Sequence, residues 1–155
     1  MRRISLKLMA MVGLALPAGA AAVAVSAAGP ATPATVSFSL SASAAGLVKS
    51  DLNQDPLTFV FTEKNTGSTA ASEDLVLESL TNGSIVSLVC VLPNGAMFNP
   101  DGVDCEPGQL HTGQTSSSII NADVTGSSGS ISAKVCLLNE GTGKTGACKT
   151  VSIPI

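Results

Sequence analysis

The sequence predicts an all-β protein: an antiparallel β-sandwich of about seven or eight short strands with two local disulfides, preceded by an export signal. Three observations predict it. Apolar and polar residues alternate with a period of two in several short runs, separated by turn residues. All four cysteines, Cys90, Cys105, Cys136 and Cys148, lie in the second half of the chain. The last stretch, Ser130 to Ile155, reads as a hairpin whose apolar and polar faces match when Cys136 stands opposite Cys148.

That register follows from setting Cys136 opposite Cys148. Ala133 then faces Val151 and Ile131 faces Ile153, while Lys134 faces Thr150 and Ser132 faces Ser152. One face is apolar and the other polar, and a slip by one residue would set apolar against polar. The cystine is expected on the polar face. Four cysteines allow three pairings, and spacing alone does not choose among them. The register favours Cys136–Cys148, which leaves Cys90–Cys105. Each bond closes a short loop and contributes about 3 kcal/mol in the chain-entropy model. Zinc is disfavoured, because the gaps are far longer than two residues and His111 is the only histidine.

The chain opens with Arg2, Arg3 and Lys7, then carries no charge from Leu8 to Val48. Leu8 to Val25 is apolar and small residues follow at Ser26-Ala27-Ala28. This is the pattern of a secretory signal, read as residues 1–27. An uncleaved membrane anchor is the alternative, since about 17–25 apolar residues suffice. Pro17 and the small residues favour cleavage. The start loosely resembles a twin-arginine signal, but Ser5 stands where Phe is usual. The general secretion route is expected, because the disulfides must form outside the cytosol. Removing 27 of the 155 residues leaves 128, enough for one domain with a real core. Five lysines then face eleven acidic residues, an excess of six negative charges that argues against nucleic-acid binding.

Residues 28–34 read as a flexible leader and 35–155 as the domain. Val36, Phe38, Leu40 and Ala42 alternate with Thr35, Ser37, Ser39 and Ser41 as a half-buried strand. Ala44 to Pro56 reads as a loop. Leu57, Phe59 and Phe61 form the apolar side of a second strand, which runs into a turn at Glu63-Lys64-Asn65-Thr66-Gly67. Leu75 and Leu77 belong to a third strand, and Asn82-Gly83 is a tight turn. Ile85 to Leu92 is nearly continuous in apolar residues, which predicts a central strand. A loop holding Met97 and Phe98 follows, then a short return at Val103 to Cys105. Ser116, Ser118, Ile120, Ala122 and Val124 share one face of the next strand. The terminal hairpin closes the fold.

Phe59 through Gly67 (Phe-Val-Phe-Thr-Glu-Lys-Asn-Thr-Gly), the following Ser68-Thr69-Ala70-Ala71 and the later segment Cys105 to Thr115 carry a resemblance. This part of the chain resembles bacterial extracellular immunoglobulin-like modules, including the cell-adhesion-related domain in bacteria and related conserved-repeat surface domains. The resemblance covers roughly residues 35–155 and implies an immunoglobulin-like sandwich. Its motifs are short turns, so it speaks to fold more than to function. Such modules usually occur in long multi-domain chains, whereas this chain carries one.

Asp51-Leu52-Asn53-Gln54-Asp55 starts like a calcium loop, but Pro56 stands where Gly is needed and Thr62 where Glu is needed. Asn99, Asp101 and Asp104 form a second weak oxygen cluster. No metal and no cofactor is expected. His111 is the only candidate general base, and no Gly-x-Ser-x-Gly elbow accompanies it. Glu73, Asp74 and Glu78 could be imagined as a sugar-cleaving pair. With no Trp or Tyr for stacking, a charged, solvated strand edge reads better. No catalytic residue is expected, and the chain is expected not to be an enzyme. Asn82-Gly83-Ser84 matches a glycosylation sequon, and the turn reading is preferred.

Met97 and Phe98 are a possible contact loop, tied down by Cys90–Cys105. They are either a plug on the core or an exposed contact point, and the shortage of large apolar residues favours the plug. The expected function is a secreted, non-catalytic module acting by contact with a protein or cell-surface partner in the envelope or medium. It is expected to be a monomer, touching the membrane only through an uncleaved signal. Two alternatives stand beside it. One is a carrier of a small apolar ligand, similar to neocarzinostatin-type apoproteins. The other is a protease inhibitor presenting the loop from Leu92 to Val103.

Overall fold

The computed structural model describes residues 33–46, 56–139 and 141–155. The signal 1–27, residues 28–32 of the leader and the calcium-like stretch Asp51 to Asp55 lie outside the described residues. The described residues form nine strands in two antiparallel sheets and no helix. The strands are β1 Phe38–Ala45, β2 Leu57–Asn65, β3 Asp74–Thr81, β4 Gly83–Val91, β5 Met97–Phe98, β6 Asp104–Cys105, β7 Thr115–Val124, β8 Ser130–Asn139 and β9 Lys144–Pro154. One sheet has the order β1-β2-β7-β4-β5 and the other β6-β3-β8-β9. Placing β1-β2-β7-β4 against β3-β8-β9 gives the four-plus-three arrangement of constant-type immunoglobulin domains. The two-residue strands β5 and β6 are additions at one side.

The period-two pattern puts one face of each strand into the space between the sheets. Leu57, Phe59 and Phe61 of β2 meet Leu75 and Leu77 of β3, with Ile120 and Ala122 of β7 and Ile131, Ala133, Val135 and Leu137 of β8. Each fully buried large side chain contributes about 1.5–3 kcal/mol. The inward face of β7 carries Ser116, Ser118, Ile120, Ala122 and Val124, as its alternation predicts.

The terminal hairpin has the register its sequence demands. Ala133 faces Val151, Ile131 faces Ile153, Lys134 faces Thr150 and Cys136 faces Cys148. The hydroxyls of Ser132 and Ser152 lie 2.7 Å apart. The apolar face has one break, where buried Val135 faces exposed Lys149. β9 is an edge strand, so the lysine head reaches water past the end of the sheet. The cystine Cys136–Cys148 lies on the side away from the core, and its partner bond is Cys90–Cys105. None of the described cysteines is free.

Three segments differ from the sequence reading. β1 begins at Phe38 with Val36 before it exposed, and it continues through Ala44 and Ala45, which pair with Phe59 and Thr58 instead of opening the loop. β2 continues through Glu63 to Asn65, so both residues lie on its inward, buried face instead of in a turn. β4 is not central along its length. It is flanked by β7, while β5 covers only Cys90 and Val91 on its other side. Ile85 and Val86 therefore sit exposed at an irregularity in pairing between Ile85 and Ser87. Lone exposed apolar residues of this kind are ordinary in folded proteins.

Asn82-Gly83 carries the chain from β3 in one sheet to β4 in the other. Asn82 has φ of 54°, a left-handed value that Asn tolerates, and its side-chain amide donates to Ser130 O at 2.9 Å. A Cβ on Gly83 would stand 2.5 Å from Cδ1 of Ile131, so the crossover approaches the core too closely for a side chain.

Candidate functional site

The loop between β4 and β6 is where local structure and sequence composition stand out together. It leaves β4 through a tight turn: Leu92 N donates to Ala96 O at 2.8 Å, and Gly95 N donates to Leu92 O at 2.9 Å. Asn94 Oδ1 accepts Ala96 N at 2.9 Å, the self-bonding turn that Asn favours. Gly95 has φ of 82°, which suits glycine. The chain then runs back as β5, with Met97 opposite Val91 and Phe98 opposite Cys90. It crosses the open side of the sandwich and joins the other sheet as β6. Val103 O accepts Leu77 N at 2.9 Å and fixes that landing.

Cys90 is on β4 and Cys105 on β6, so their bond ties the two sheets beneath the loop. Both sulfurs belong to buried residues. The residues above them are not buried. Met97 is 63% exposed, Phe98 37% and Val103 42%. The plug expected from the sequence is therefore absent, and Met97 and Phe98 face solvent. The reason lies in the pairing. Phe59 and Phe61 lie in the buried core with the Cys90–Cys105 bond, while β5 pairs with the outer edge of β4 and so holds Met97 and Phe98 outside it.

Phe98 walls a surface cleft of about 480 Å³ whose other sides include Asn99, Asp101, Asp104 and Glu106. The oxygen cluster suggested by the sequence thus gathers in one place. Its carboxylates do not converge as metal ligands do. Among the described residues, the one group of three Asp, Glu, His or Cys ligand atoms within 4.8 Å is Glu78, Cys136 and Cys148. Both cysteines there are used in a disulfide, so they cannot act as thiolates. Glu78 is paired instead with Lys134, Oε2 to Nζ at 2.8 Å on the exposed side of the sheet.

His111 is exposed and lines a second, smaller cleft with Leu92, Pro93, Asn94, Pro107, Gln109 and Gln114. Among the described residues no carboxylate lines that cleft, so none of them orients the imidazole from its walls.

The three acids imagined as a sugar-cleaving set do not form a solvated edge together. Glu78 is exposed, Glu73 half-buried and Asp74 buried. Burial raises the Glu73 carboxyl above its ordinary range, against a hydrogen bond from the Asn139 side chain. Sequence reasoning missed a fourth acid, Glu63, which is fully buried. Burial pushes its carboxyl up to about 7, opposed by the Ser116 hydroxyl and reinforced by the negative charges of Glu73 and Asp74. Asn65 beside it is also fully buried and is satisfied on three sides. Its Nδ2 donates to Thr69 O at 2.8 Å and Leu110 O at 2.7 Å, and its Oδ1 accepts Gly67 N at 2.8 Å. The signal for both was available: counting by twos from Phe61 lands on Glu63 and Asn65.

The chain matches no protein-family model and no curated protein.

Proposed function

We propose that the protein is a secreted, non-catalytic immunoglobulin-like module that works by surface contact through the loop from Leu92 to Val103. The observation that carries this reading is the exposure of Met97 and Phe98 on a loop held by Cys90–Cys105. Holding a contact loop rigid reduces the ordering cost of binding. Two disulfides accord with an oxidising compartment, which fits export. Asp101, Asp104 and Glu106 beside Phe98 favour a partner surface that is basic around an apolar centre.

The test is a photo-crosslinking amino acid placed at position 97 in the exported protein, with position 43 on the outer side of β1 as control. A discrete adduct from position 97 alone is expected. Equal adducts from both positions, or none from 97, would reject the contact loop.

A second reading, the protease inhibitor, is favoured by one feature. Met97 and Phe98 are extended as a short strand and exposed, as a substrate segment must be. It predicts stoichiometric loss of activity of a serine protease that accepts Met or Phe, and recovery when Met97 and Phe98 are replaced by Gly. The ligand carrier has less support, because Phe59, Phe61 and Leu75 occupy the space between the sheets.

A further inference from the structure

Glu63 occupies a position that a carboxylate should avoid. It follows Leu57, Phe59 and Phe61 on the inward face of β2 and is fully buried. Its Oε1 accepts the Ser116 hydroxyl of β7 at 2.6 Å. Its Oε2 is equally buried and has no hydrogen-bond partner among the described residues.

Apart from the Ser116 hydroxyl, the described groups around it do not compensate a negative charge. β1 sets Leu40 opposite Glu63. From the β3 side come Glu73 and Asp74, both acidic, and Asn139 of β8 is engaged with Glu73. The neighbouring cation, Lys64, is exposed on the opposite face of β2. A buried, unpaired carboxylate is among the costliest groups a fold can hold, so the neutral acid is the form that fits.

We propose that Glu63 is a proton-controlled latch: while it holds its proton this end of the sandwich stays closed, and losing the proton drives the end open. The segments that move are those joined here. Asn65 N donates to Gln114 O, Gly113 N to Asn65 O, and Ala71 and Leu110 exchange a pair of backbone bonds. The sign follows from linkage. The folded carboxyl titrates near 7 against 4.5 for an ordinary one. The closed state therefore binds more protons between these values, and it loses stability as pH rises through that window. The contact loop, with Cys90–Cys105, is a separate feature, and the latch does not depend on its role.

Amide hydrogen exchange of the disulfide-intact protein tests this, with rates corrected for the intrinsic rise with pH. From pH 5 to pH 9, opening at Asn65, Ala71, Leu110 and Gly113 should increase roughly ten- to a hundredfold. Thr125, whose amide donates to Asn82 O at the other end, serves as the reference and should change less. Glu63→Gln keeps the shape and an acceptor for Ser116 but cannot ionise, so its loss of protection from pH 5 to pH 9 should be several-fold smaller than the parent's, the raised Glu73 carboxyl supplying what remains. Equal pH dependence in Glu63→Gln and the parent would overturn the latch. So would recovery of protection at pH 9 in millimolar calcium, which would make Glu63 part of a cation site. Should Glu63→Gln fail to fold, a carbon-13 titration of the parent decides, and a Glu63 midpoint near 4.5 would refute the proposal.

Discussion

Cys90 and Cys105, with Cα atoms 5.5 Å apart, join β4 of one sheet to β6 of the other. In antibody domains of this architecture the inter-sheet disulfide packs against a buried Trp in the core of the sandwich. Here the bond lies at one side, where it also anchors both ends of the Met97–Phe98 loop. Replacing both cysteines with Ala should lower stability by about 3 kcal/mol, given a closed loop of this length. The loop should also become the first point of proteolytic cutting, between residues 92 and 103. Urea unfolding and limited proteolysis, each at one temperature, would check this. A variant that loses stability while its first cut falls elsewhere would separate the bond from the loop.

Phenylalanines in two settings should behave differently. Phe59 is fully buried between the sheets, and truncation to Ala should cost about 3–5 kcal/mol. Met97→Ala, at an exposed site, should change stability by no more than about 0.5 kcal/mol. Phe98→Ala should fall well below Phe59→Ala, because Phe98 borders open solvent. Thermal melts of the three variants side by side decide it. A Phe98→Ala loss equal to that of Phe59→Ala would return Phe98 to the core and remove the contact loop's main support.

Much of the fold was legible because alternation and register are strong local signals. Ile131, Ala133, Val151 and Ile153 could only lie on one face, and they do. Ser116 to Val124 was equally plain. What was not legible depended on neighbours. Ile85 to Leu92 reads as a central strand by composition, yet whether a strand lies on each side is set by long-range pairing. The scarcity of large side chains points to a plug at Met97 and Phe98, but which side chains enter the core is set by the long-range pairing that brings Phe59 and Phe61 between the sheets and leaves β5 at the edge of β4. Glu63 and Asn65 were hidden by a polar, turn-rich composition that masked the continuing period of β2.

Asn65 holds the connection from β2 to β3 in place of a regular turn. Its amide supplies two donors to Thr69 O and Leu110 O, and its oxygen takes Gly67 N. Asn65→Ala leaves these groups without a partner, each costing about 1–3 kcal/mol when buried. A total loss of at least about 2 kcal/mol is expected in denaturant unfolding. Asn65→Asp should be worse at pH 8, where a carboxylate would face two carbonyl oxygens. Relative to the parent at the same pH it should improve at pH 4, when the protonated acid can donate once. An Asn65→Asp variant as stable as the parent at pH 8 would contradict this hydrogen-bond arrangement.

Gly83 and Ile131 make the most specific packing prediction, because their interference is geometric. A Cβ at 83 would lie 2.5 Å from Cδ1 and 3.0 Å from Cγ1 of Ile131, with Asp123 O at 3.3 Å. Ile131 is fully buried on β8 and has little room to withdraw. Gly83→Ala should therefore be destabilising by about 1–3 kcal/mol, the usual cost of overpacking. Ile131→Val removes Cδ1 and should cost about 0.5–1.5 kcal/mol alone. In the double variant the new methyl occupies part of the volume that Cδ1 vacated. Its loss should be smaller than the two single losses combined, by about 0.5 kcal/mol or more, as expected for residues in direct contact. Unfolding free energies of the four proteins complete the cycle. Strict additivity would mean that the crossover yields elsewhere when Gly83 gains a side chain, and that Ile131 does not hold β4 against the core.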